Sequence, residues 1–403
     1  MDQPGTRTHG ELEEIFGEVE APFAFVDLDA MWANGESMLQ RAGEKPIRVA
    51  TKSLRCRPLI EQILDRDDRF QGLMTFTLPE TLWLAERGME NLLLAYPTTD
   101  LEALGELALR SVALQGASPV VMVDCVEHLD LIESILGTQA SPVRLCLELD
   151  AALWAYGGRV KAGTLRSPIH SPEDAVALAE EIGRREKLEL VGLMAYEAQI
   201  AGLGDRIPGR PFRSRAIRSM QKKSRAEIAE RRAETVAKVR EVAPLEFVNG
   251  GGTGSLESTS AEEAVTEVAA GSGFFAPAQF DHYSNLSLRP AAGYALPVVR
   301  RPEPRVVTAL GGGYLASGPP DPGRMPVPWL PEGLEFEKDE GAGEVQTPLV
   351  GEAAQELAIG DNVYLRHAKA GELCERFESL ILIEGDEIVD EVPTYRGEGQ
   401  TFL

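Results

Sequence analysis

Short apolar runs alternate with helical patterns along most of the chain, and this alternation limits the possible folds more than any other feature. The central runs are short, apolar and often β-branched, as expected for strands that are covered on both faces. They occupy residues 47–52, 72–77, 91–96, 118–124, 142–149, 188–196, 245–250 and 274–280. Helical patterns lie between them, at residues 58–67, 79–87, 101–110, 126–136, 171–185, 217–242 and 260–269.

Eight strands with intervening helices are the number that closes a (β/α)8 barrel of the TIM type. An open, doubly wound sheet fits less well, because no GxGxxG motif follows the first strand. After residue 285 short alternating strands replace the helical patterns, and Gly385-Asp386 is typical of a two-residue hairpin turn. The sequence therefore predicts an α/β fold with a barrel over residues 31–284 and a β-rich domain formed by residues 1–30 and 285–403.

Composition disfavours several classes of partner. The 403 residues carry a formal net charge of −24, which argues against binding to nucleic acid or anionic membranes. The four cysteines form no CxxC or zinc-finger spacing, and this usage suits a reducing cytoplasm. The first residues contain no apolar segment of a secretory signal, and no run approaches the roughly 18 apolar residues of a membrane helix. We therefore expect a cytoplasmic protein that acts on a small molecule.

Two features of the predicted barrel could carry chemistry. Lys52 ends the first strand, and the carboxyl ends of barrel strands form the rim where active sites lie. The segment 249–255, Asn-Gly-Gly-Gly-Thr-Gly-Ser, follows the seventh strand, and its N–H groups and the hydroxyls of Thr253 and Ser255 can converge on a phosphate. A lysine that faces a phosphate-bearing aldehyde predicts pyridoxal phosphate held as a Schiff base. A lysine Schiff-base aldolase acting on a phosphorylated sugar is the alternative.

With these features, the sequence resembles the fold-type III pyridoxal-phosphate enzymes. Within them it looks like the D-threonine aldolase and D-serine dehydratase group, which is similar to alanine racemase in its N-terminal barrel. The matching segments cover nearly the whole chain and are PFAFVDLDAMWAN, RVATKS, ELDAALWAYGGR, GLMAYEAQ, GGGTGS, AAGSGFF and the late His367. The resemblance implies that the strand at 22–30 belongs to the β-rich domain and that the protein is a homodimer.

The resemblance also implies a role for each matching residue. Lys52 would carry the cofactor, Arg159 would reach its phenolic oxygen, and Tyr196 would lie near its ring. The residues that would bind the phosphate are Thr253, Gly254, Gly271 and Ser272. Without the resemblance, Arg159 is typical of a surface loop and Tyr196 of the side chains that fill a barrel.

Two departures from the family pattern bear on the reaction. Ala269 stands where alanine racemases place an arginine against the ring nitrogen, which argues against a dedicated alanine racemase. The aldolase and dehydratase group pairs a histidine with a cysteine or aspartate two residues later, and a divalent ion on this pair activates the substrate β-hydroxyl. Here Lys369 follows His367 at that distance, and an ammonium has no lone pair for a metal. Cys374 could supply the second ligand to Zn²⁺ or Mn²⁺, or Lys369 could replace the charge of the ion.

The sequence thus predicts a pyridoxal-phosphate-dependent lyase that acts on D-β-hydroxy amino acids, with Lys52 and His367 as catalytic residues. Loss of the β-hydroxyl proton would give an aldolase, whereas loss of hydroxide would give a dehydratase that deaminates its substrate. An amino-acid racemase or epimerase and a non-catalytic pyridoxal-phosphate-binding protein are the alternatives.

Overall fold

The computed structural model describes residues 7–114, 118–137, 141–155, 157–318 and 321–403. The helices are α1 (His9–Phe16), α2 (Leu28–Ala42), α3 (Arg57–Arg66), α4 (Leu78–Glu86), α5 (Leu101–Leu114), α6 (Val126–Ile135), α7 (Pro172–Gly183), α8 (Ala198–Ala201), α9 (Pro211–Arg240), α10 (Leu256–Ser260) and α11 (Ser272–Phe275). The strands are β1 (Phe23–Asp27), β2 (Ile47–Ala50), β3 (Phe70–Thr75), β4 (Leu92–Leu94), β5 (Val120–Val123), β6 (Val143–Glu148), β7 (Leu153–Ala155), β8 (Val160–Ala162), β9 (Leu188–Ala195), β10 (Phe247–Gly250), β11 (Glu267–Ala270), β12 (Ala292–Glu303), β13 (Val306–Leu310), β14 (Val327–Leu330), β15 (Glu335–Phe336), β16 (Gln346–Val350), β17 (Asn362–Arg366), β18 (Ser379–Glu384) and β19 (Glu387–Pro393).

Eight of the described strands close into a parallel barrel, in the order β2, β3, β4, β5, β6, β9, β10 and β11. The ring closes where Val268 of β11 pairs with Ile47 of β2. A cluster of buried residues from the strands fills the interior, and one close approach there requires glycine, since a Cβ on Gly192 would lie 2.2 Å from Cζ of Phe247. The predicted TIM-type barrel is confirmed.

The eighth barrel strand lies elsewhere than the sequence predicts. It is Glu267–Ala270, which overlaps the end of the predicted helix 260–269, and the run at 274–280 contains no strand. Glu267 forms a buried ion pair with Arg48 (Oε1 to Nε, 2.6 Å), so a charged residue interrupts the apolar pattern of the true strand. The apolar run instead begins within α11, and a left-handed backbone at Ala276 (φ 49°) then precedes Pro277. Both predictions for this stretch are wrong.

A separate sheet of nine described strands runs in the order β15, β16, β13, β12, β1, β18 and β19, with β17 joining β12 to β14. β1 pairs antiparallel with β12 and parallel with β18, so the strand predicted outside the barrel belongs to this sheet. α1 covers the sheet through Leu12 and Phe16. The predicted hairpin is confirmed, since Glu384 and Glu387 pair across Gly385-Asp386.

The chain forms two compact units. The sheet unit comprises Met1–Ser37, Ser53–Glu61 and Ser272–Thr401, and the barrel unit comprises Met38–Lys52, Gln62–Gly271 and Phe402–Leu403. The division into domains at 31–284 and at 1–30 with 285–403 stays a prediction. Among the described residues, no helix is both long enough and apolar enough to cross a membrane.

Candidate active site

Lys52 lies in a short 3-10 turn, Thr51–Ser53, that directly follows β2. Its Nζ donates a hydrogen bond to the hydroxyl of Tyr96, 2.5 Å away, and Tyr96 follows β4 on the same rim. Burial raises the pKa of Tyr96, but the nearby Lys52 ammonium and the Arg166 guanidinium outweigh it and hold this pKa below its usual value. The rim of the barrel therefore contains an amine and a phenol that are joined by a hydrogen bond.

The guanidinium of Arg166 lies beside two tyrosines of the rim. It is 5.5 Å from the ring centroid of Tyr96 and 5.7 Å from that of Tyr196, within the range of cation–π contacts. Tyr196 follows β9, and burial raises its pKa to about 12. Its ring also borders the glycine-rich loop, because a Cβ on Gly252 would lie 3.2 Å from Cε2 of Tyr196. Neighbouring side chains thus connect Lys52 with the glycine-rich loop across the rim.

Glu148 adds a buried acid to this group. It is the last residue of β6 and is 5% exposed. Burial raises its pKa to about 7; Arg166 and Lys52 oppose this shift, and Asp124 and Asp150 add to it. Glu148 can therefore exchange a proton near neutral pH, unlike an ordinary surface carboxylate.

The glycine-rich loop between β10 and α10 leaves no room for side chains at its closest approaches. Gly251 has a φ of 82°, which favours glycine, and a Cβ on Gly252 would lie 2.9 Å from the Cβ of Ala201. Thr253 is 4% exposed, and its carbonyl accepts a hydrogen bond from Nη2 of Arg41 at 2.7 Å. Close contacts and hydrogen bonds thus fix the backbone of the loop, as a phosphate-binding loop requires.

The buried carboxylate of Glu197 accepts hydrogen bonds from the glycine-rich loop and from its neighbours. Its Oε2 accepts hydrogen bonds from Nη2 of Arg232 (2.8 Å) and from the N–H of Gly251 (3.3 Å). Its Oε1 accepts one from Oγ of Ser255 (3.0 Å) and one from the hydroxyl of Thr259. The Ser255 hydroxyl, which we expected to face a phosphate, is therefore used inside the protein.

Two consecutive arginines of α9 bind different parts of the rim. Arg232 is completely buried, and its Nη1 bonds to Oε2 of Glu262 at 2.5 Å, which completes an ion triad with Glu197. Arg231 donates to three backbone carbonyl oxygens around the β7–β8 hairpin. These oxygens belong to Asp150, Ala152 and His170.

Other residues predicted to bind the cofactor lie at different places. Gly254 is in the glycine-rich loop, and Gly271 directly follows β11, the barrel neighbour of β10. Ser272 begins α11 in the sheet unit. Arg159 is exposed in the turn between β7 and β8, whereas Arg166 contacts the two tyrosines. The structure thus presents Arg166 as an alternative to Arg159.

His367 and Cys374, the predicted metal ligands, both lie in the sheet unit. His367 is 3% exposed, and burial lowers its pKa to about 3, so its imidazole is neutral. Neither of its ring nitrogens has a hydrogen-bond partner among the described residues, which leaves a lone pair for a ligand. The Cys374 thiol donates to the carbonyl oxygen of Leu54 at 3.0 Å, and burial raises its pKa well above the usual value. The metal pair stays a prediction.

Sequence reasoning missed Tyr96, Glu148 and Arg166. For Tyr96 and Glu148 a signal exists, since each lies at or just after the carboxyl end of a barrel strand, where the rim forms. Arg166 lies in the loop between β8 and α7, and no local pattern distinguishes it from other loop arginines.

Residues 26–276 match the family model described as alanine racemase, N-terminal domain. This range is more than half of the chain, and the chain belongs to that family. D-threonine aldolase from Filomicrobium marinum has a similar structure, with 22% sequence identity and a TM-score of 0.74 over 94% of this chain and 96% of the other. The family prediction is confirmed.

Two further solved structures show the same fold. D-threo-3-hydroxyaspartate dehydratase from Delftia sp. HT23 is 18% identical, with a TM-score of 0.69 over 93% of this chain and 97% of the other. Alanine racemase from Bacillus anthracis with bound L-Ala-P is 14% identical, with a TM-score of 0.61 over 94% of this chain and 99% of the other. No curated protein sequence matches the chain significantly.

Proposed function

We propose that the protein is a pyridoxal-phosphate-dependent lyase, an aldolase or a dehydratase, that acts on D-β-hydroxy amino acids. The observation that carries the proposal is the continuous set of side chains from Lys52 through Tyr96, Arg166 and Tyr196 to the glycine-rich loop. Two proteins of similar structure, a D-threonine aldolase and a D-threo-3-hydroxyaspartate dehydratase, support the choice of substrate class.

The residues of the rim fit the cofactor chemically. The loop leaves no room for a side chain at Gly252, and Lys52 offers the amine that binds an aldehyde. The N–H groups of Gly251 and Gly252 bond to Glu197 and to the Ser255 hydroxyl, so the phosphate would lie against the part of the loop that follows them. Thr253, Gly254, Gly271 and Ser272 are the proposed phosphate ligands. When bound, pyridoxal phosphate supplies an electron sink for negative charge at the substrate Cα.

The remaining side chains of the rim would manage protons and orientation. Lys52, once replaced by the substrate amine, would hold or accept the proton at Cα, and the Tyr96 hydroxyl at 2.5 Å would stabilise its charged form. Arg166 brings a permanent positive charge to the space between Tyr96 and Tyr196, where it would orient an anionic oxygen of the cofactor or the substrate. We propose this role for Arg166 beside the earlier prediction for Arg159.

The assignment of His367 to the β-hydroxyl comes from the sequence resemblance. What His367 itself offers is a neutral imidazole with both nitrogens unbonded among the described residues, which suits a metal ligand. Cys374 fits a metal less well while its thiol donates to Leu54. The homodimer also stays a proposal.

A racemase or epimerase is the second candidate, and Tyr96 is the observation that favours it. Its lowered pKa and its hydrogen bond to Lys52 give the rim a second group that can exchange protons. Incubation with a single enantiomer and chiral analysis of the recovered amino acid distinguishes the two, since a lyase consumes the substrate without inverting it.

Absorption spectroscopy tests the cofactor, and product analysis tests the reaction. The protein with pyridoxal phosphate should absorb near roughly 410–430 nm through its bond to Lys52, and Lys52→Ala should abolish this band. With D-threonine or D-threo-3-hydroxyaspartate as probe, an aldolase releases an aldehyde and glycine, whereas a dehydratase releases a 2-oxo acid and ammonia. A protein that stays colourless with added cofactor would contradict the proposal.

Chelation tests the metal. If a divalent ion acts with His367, dialysis against EDTA should remove lyase activity while leaving the Lys52-dependent absorption band in place. Zn²⁺ or Mn²⁺ should then restore activity. Full activity after chelation would refute the metal and favour the alternative in which Lys369 replaces the charge of the ion.

A further inference from the structure

Three different ligand types converge where β5 ends and α6 begins. Asp124 directly follows β5, Cys125 is the N-cap of α6, and His128 lies three residues further on. The N-cap residue and the third helical residue face each other at a helix start, as in a capping box. A carboxylate oxygen of Asp124, Sγ of Cys125 and a ring nitrogen of His128 all lie within 4.8 Å of one another.

The contacts of His128 are compatible with a cation bound between its ring and the carboxylate of Asp124. Its Nδ1 accepts a hydrogen bond from the N–H of Asp124 at 3.3 Å and also lies 3.1 Å from Oδ1 of Asp124. In the tautomer in which Nδ1 carries the lone pair, the ring nitrogen and the carboxylate oxygen are both electron-rich, and they face each other at a separation that a shared cation would stabilise. The cation would bind the Nδ1 lone pair in place of the N–H of Asp124, which now donates to it at 3.3 Å.

The spacing agrees with coordination of a single ion. Zinc–ligand bonds of about 2.0–2.3 Å in a tetrahedral arrangement place neighbouring ligand atoms about 3.3–3.8 Å apart. Nδ1 of His128 and Oδ1 of Asp124 lie 3.1 Å apart, and the three ligand atoms all lie within 4.8 Å of one another, so small side-chain rotations would bring them to these distances.

The charges around the cluster also favour a cation. Asp124 is 7% exposed, and its carboxylate lies close to the Cys125 thiol and the His128 ring. A buried carboxylate is stabilised by a bound positive ion. Because a thiol binds a metal as thiolate, uptake of the ion releases a proton.

We propose that Asp124, Cys125 and His128 form a binding site for a thiophilic divalent transition-metal ion such as Zn²⁺. The nitrogen, sulfur and oxygen donors suit Zn²⁺ or Co²⁺, whereas Mg²⁺ and Ca²⁺ prefer oxygen alone. Three protein ligands leave the fourth tetrahedral position to water or to another ligand. All three residues belong to the barrel unit, and the site shares no residue with the predicted pair of His367 and Cys374.

Metal titration of the full-length protein tests the site. After removal of bound metal, ZnCl₂ is titrated into the wild type and into Cys125→Ser, His128→Ala, His367→Ala and His170→Ala. His170→Ala is the matched control, because His170 also pairs with a rim carboxylate, Asp150 (Nδ1 to Oδ2, 3.0 Å), but has no thiol beside it. Serine is a good N-cap, so Cys125→Ser should fold, and circular dichroism without metal verifies this.

We expect the wild type, His170→Ala and His367→Ala to bind one equivalent of Zn²⁺ at this site. Loss of a residue that only hydrogen-bonds to a metal ligand weakens metal binding about 10–100-fold. Loss of a ligand itself should cost at least as much, so Cys125→Ser and His128→Ala should bind Zn²⁺ at least about 100-fold more weakly than the wild type. Co²⁺ should give a thiolate charge-transfer band in the near ultraviolet that Cys125→Ser lacks. Unchanged Zn²⁺ stoichiometry and affinity in folded Cys125→Ser and His128→Ala would overturn the proposal.

Discussion

Replacement of Arg232 by methionine should destabilise the protein strongly. Arg232 is completely buried and is balanced by Glu197, whose side chain is 2% exposed, and by Glu262, whose side chain is 10% exposed. Methionine keeps much of the volume but leaves two carboxylates without their cation. Removal of one partner from a buried ion pair costs about 3–5 kcal/mol, because the other charge stays buried and uncompensated.

Urea denaturation of the cofactor-free protein measures the change. A loss of about 3–5 kcal/mol corresponds to a midpoint lower by about 1–2 M. The loss should shrink as the pH falls, because the orphaned carboxylates then bind protons in the folded state and lose their charge. Affinity for pyridoxal phosphate should fall as well, since Glu197 also holds the N–H of Gly251 and the hydroxyl of Ser255.

Lys238→Met is the matched control on the same helix. Lys238 forms ion pairs with Glu173 and Glu234, but all three side chains are exposed to solvent. Exposed ion pairs contribute little to stability, so this variant should unfold at nearly the wild-type urea concentration. Equal midpoints for Arg232→Met and the wild type would refute the view that the triad holds the loop.

Three further predictions concern the rim. The raised pKa of Glu148 makes the free energy of unfolding of the wild type fall by on the order of 3 kcal/mol as pH rises from about 4.5 to 7, so Glu148→Gln should remove this fall and be the more stable protein at neutral pH. Urea midpoints measured across this pH range test it, and parallel curves for the two proteins would contradict it. Gly252→Ala would place a Cβ 2.9 Å from that of Ala201 and should weaken pyridoxal-phosphate binding at least about tenfold, which corresponds to about 1.4 kcal/mol. Gly183→Ala, which has open space around it, should leave binding unchanged, and fluorescence titration compares the two variants. Arg166→Gln should weaken cofactor binding or shift its absorption band more than Arg159→Gln, and the reverse order would favour the earlier prediction for Arg159.

The barrel could be predicted because its strands are apolar on both faces and recur at regular intervals. The exception is instructive, since β11 contains Glu267, whose partner Arg48 is 219 residues away. No local pattern reveals such a pair, and the more apolar run at 274–280 adopts a helical turn instead. Apolar runs of this length do not by themselves distinguish a strand from a buried turn.

The site was predictable where the backbone dictates its chemistry. The glycine-rich loop could be found because closely approaching backbone requires glycine, and Lys52 because it follows a strand. Ser255 shows the limit of this reasoning, since its hydroxyl bonds to Glu197, which precedes it by 58 residues. Arg166 shows the same limit, because its position between two tyrosines depends on the path of a long loop.

The adjacent arginines of α9 have a consequence for motion at the rim. Successive residues of a helix point about 100° apart, so neighbouring side chains of α9 can reach different segments. Arg231 bonds to the backbone around the β7–β8 hairpin, and Arg232 bonds to Glu197, which in turn bonds to the glycine-rich loop. The hairpin and the loop, which are distant in sequence, are therefore bonded to the same helix. A shift of α9 would change the hydrogen bonds of both, together with the bond from Arg232 to the carbonyl oxygen of Ala195 in β9.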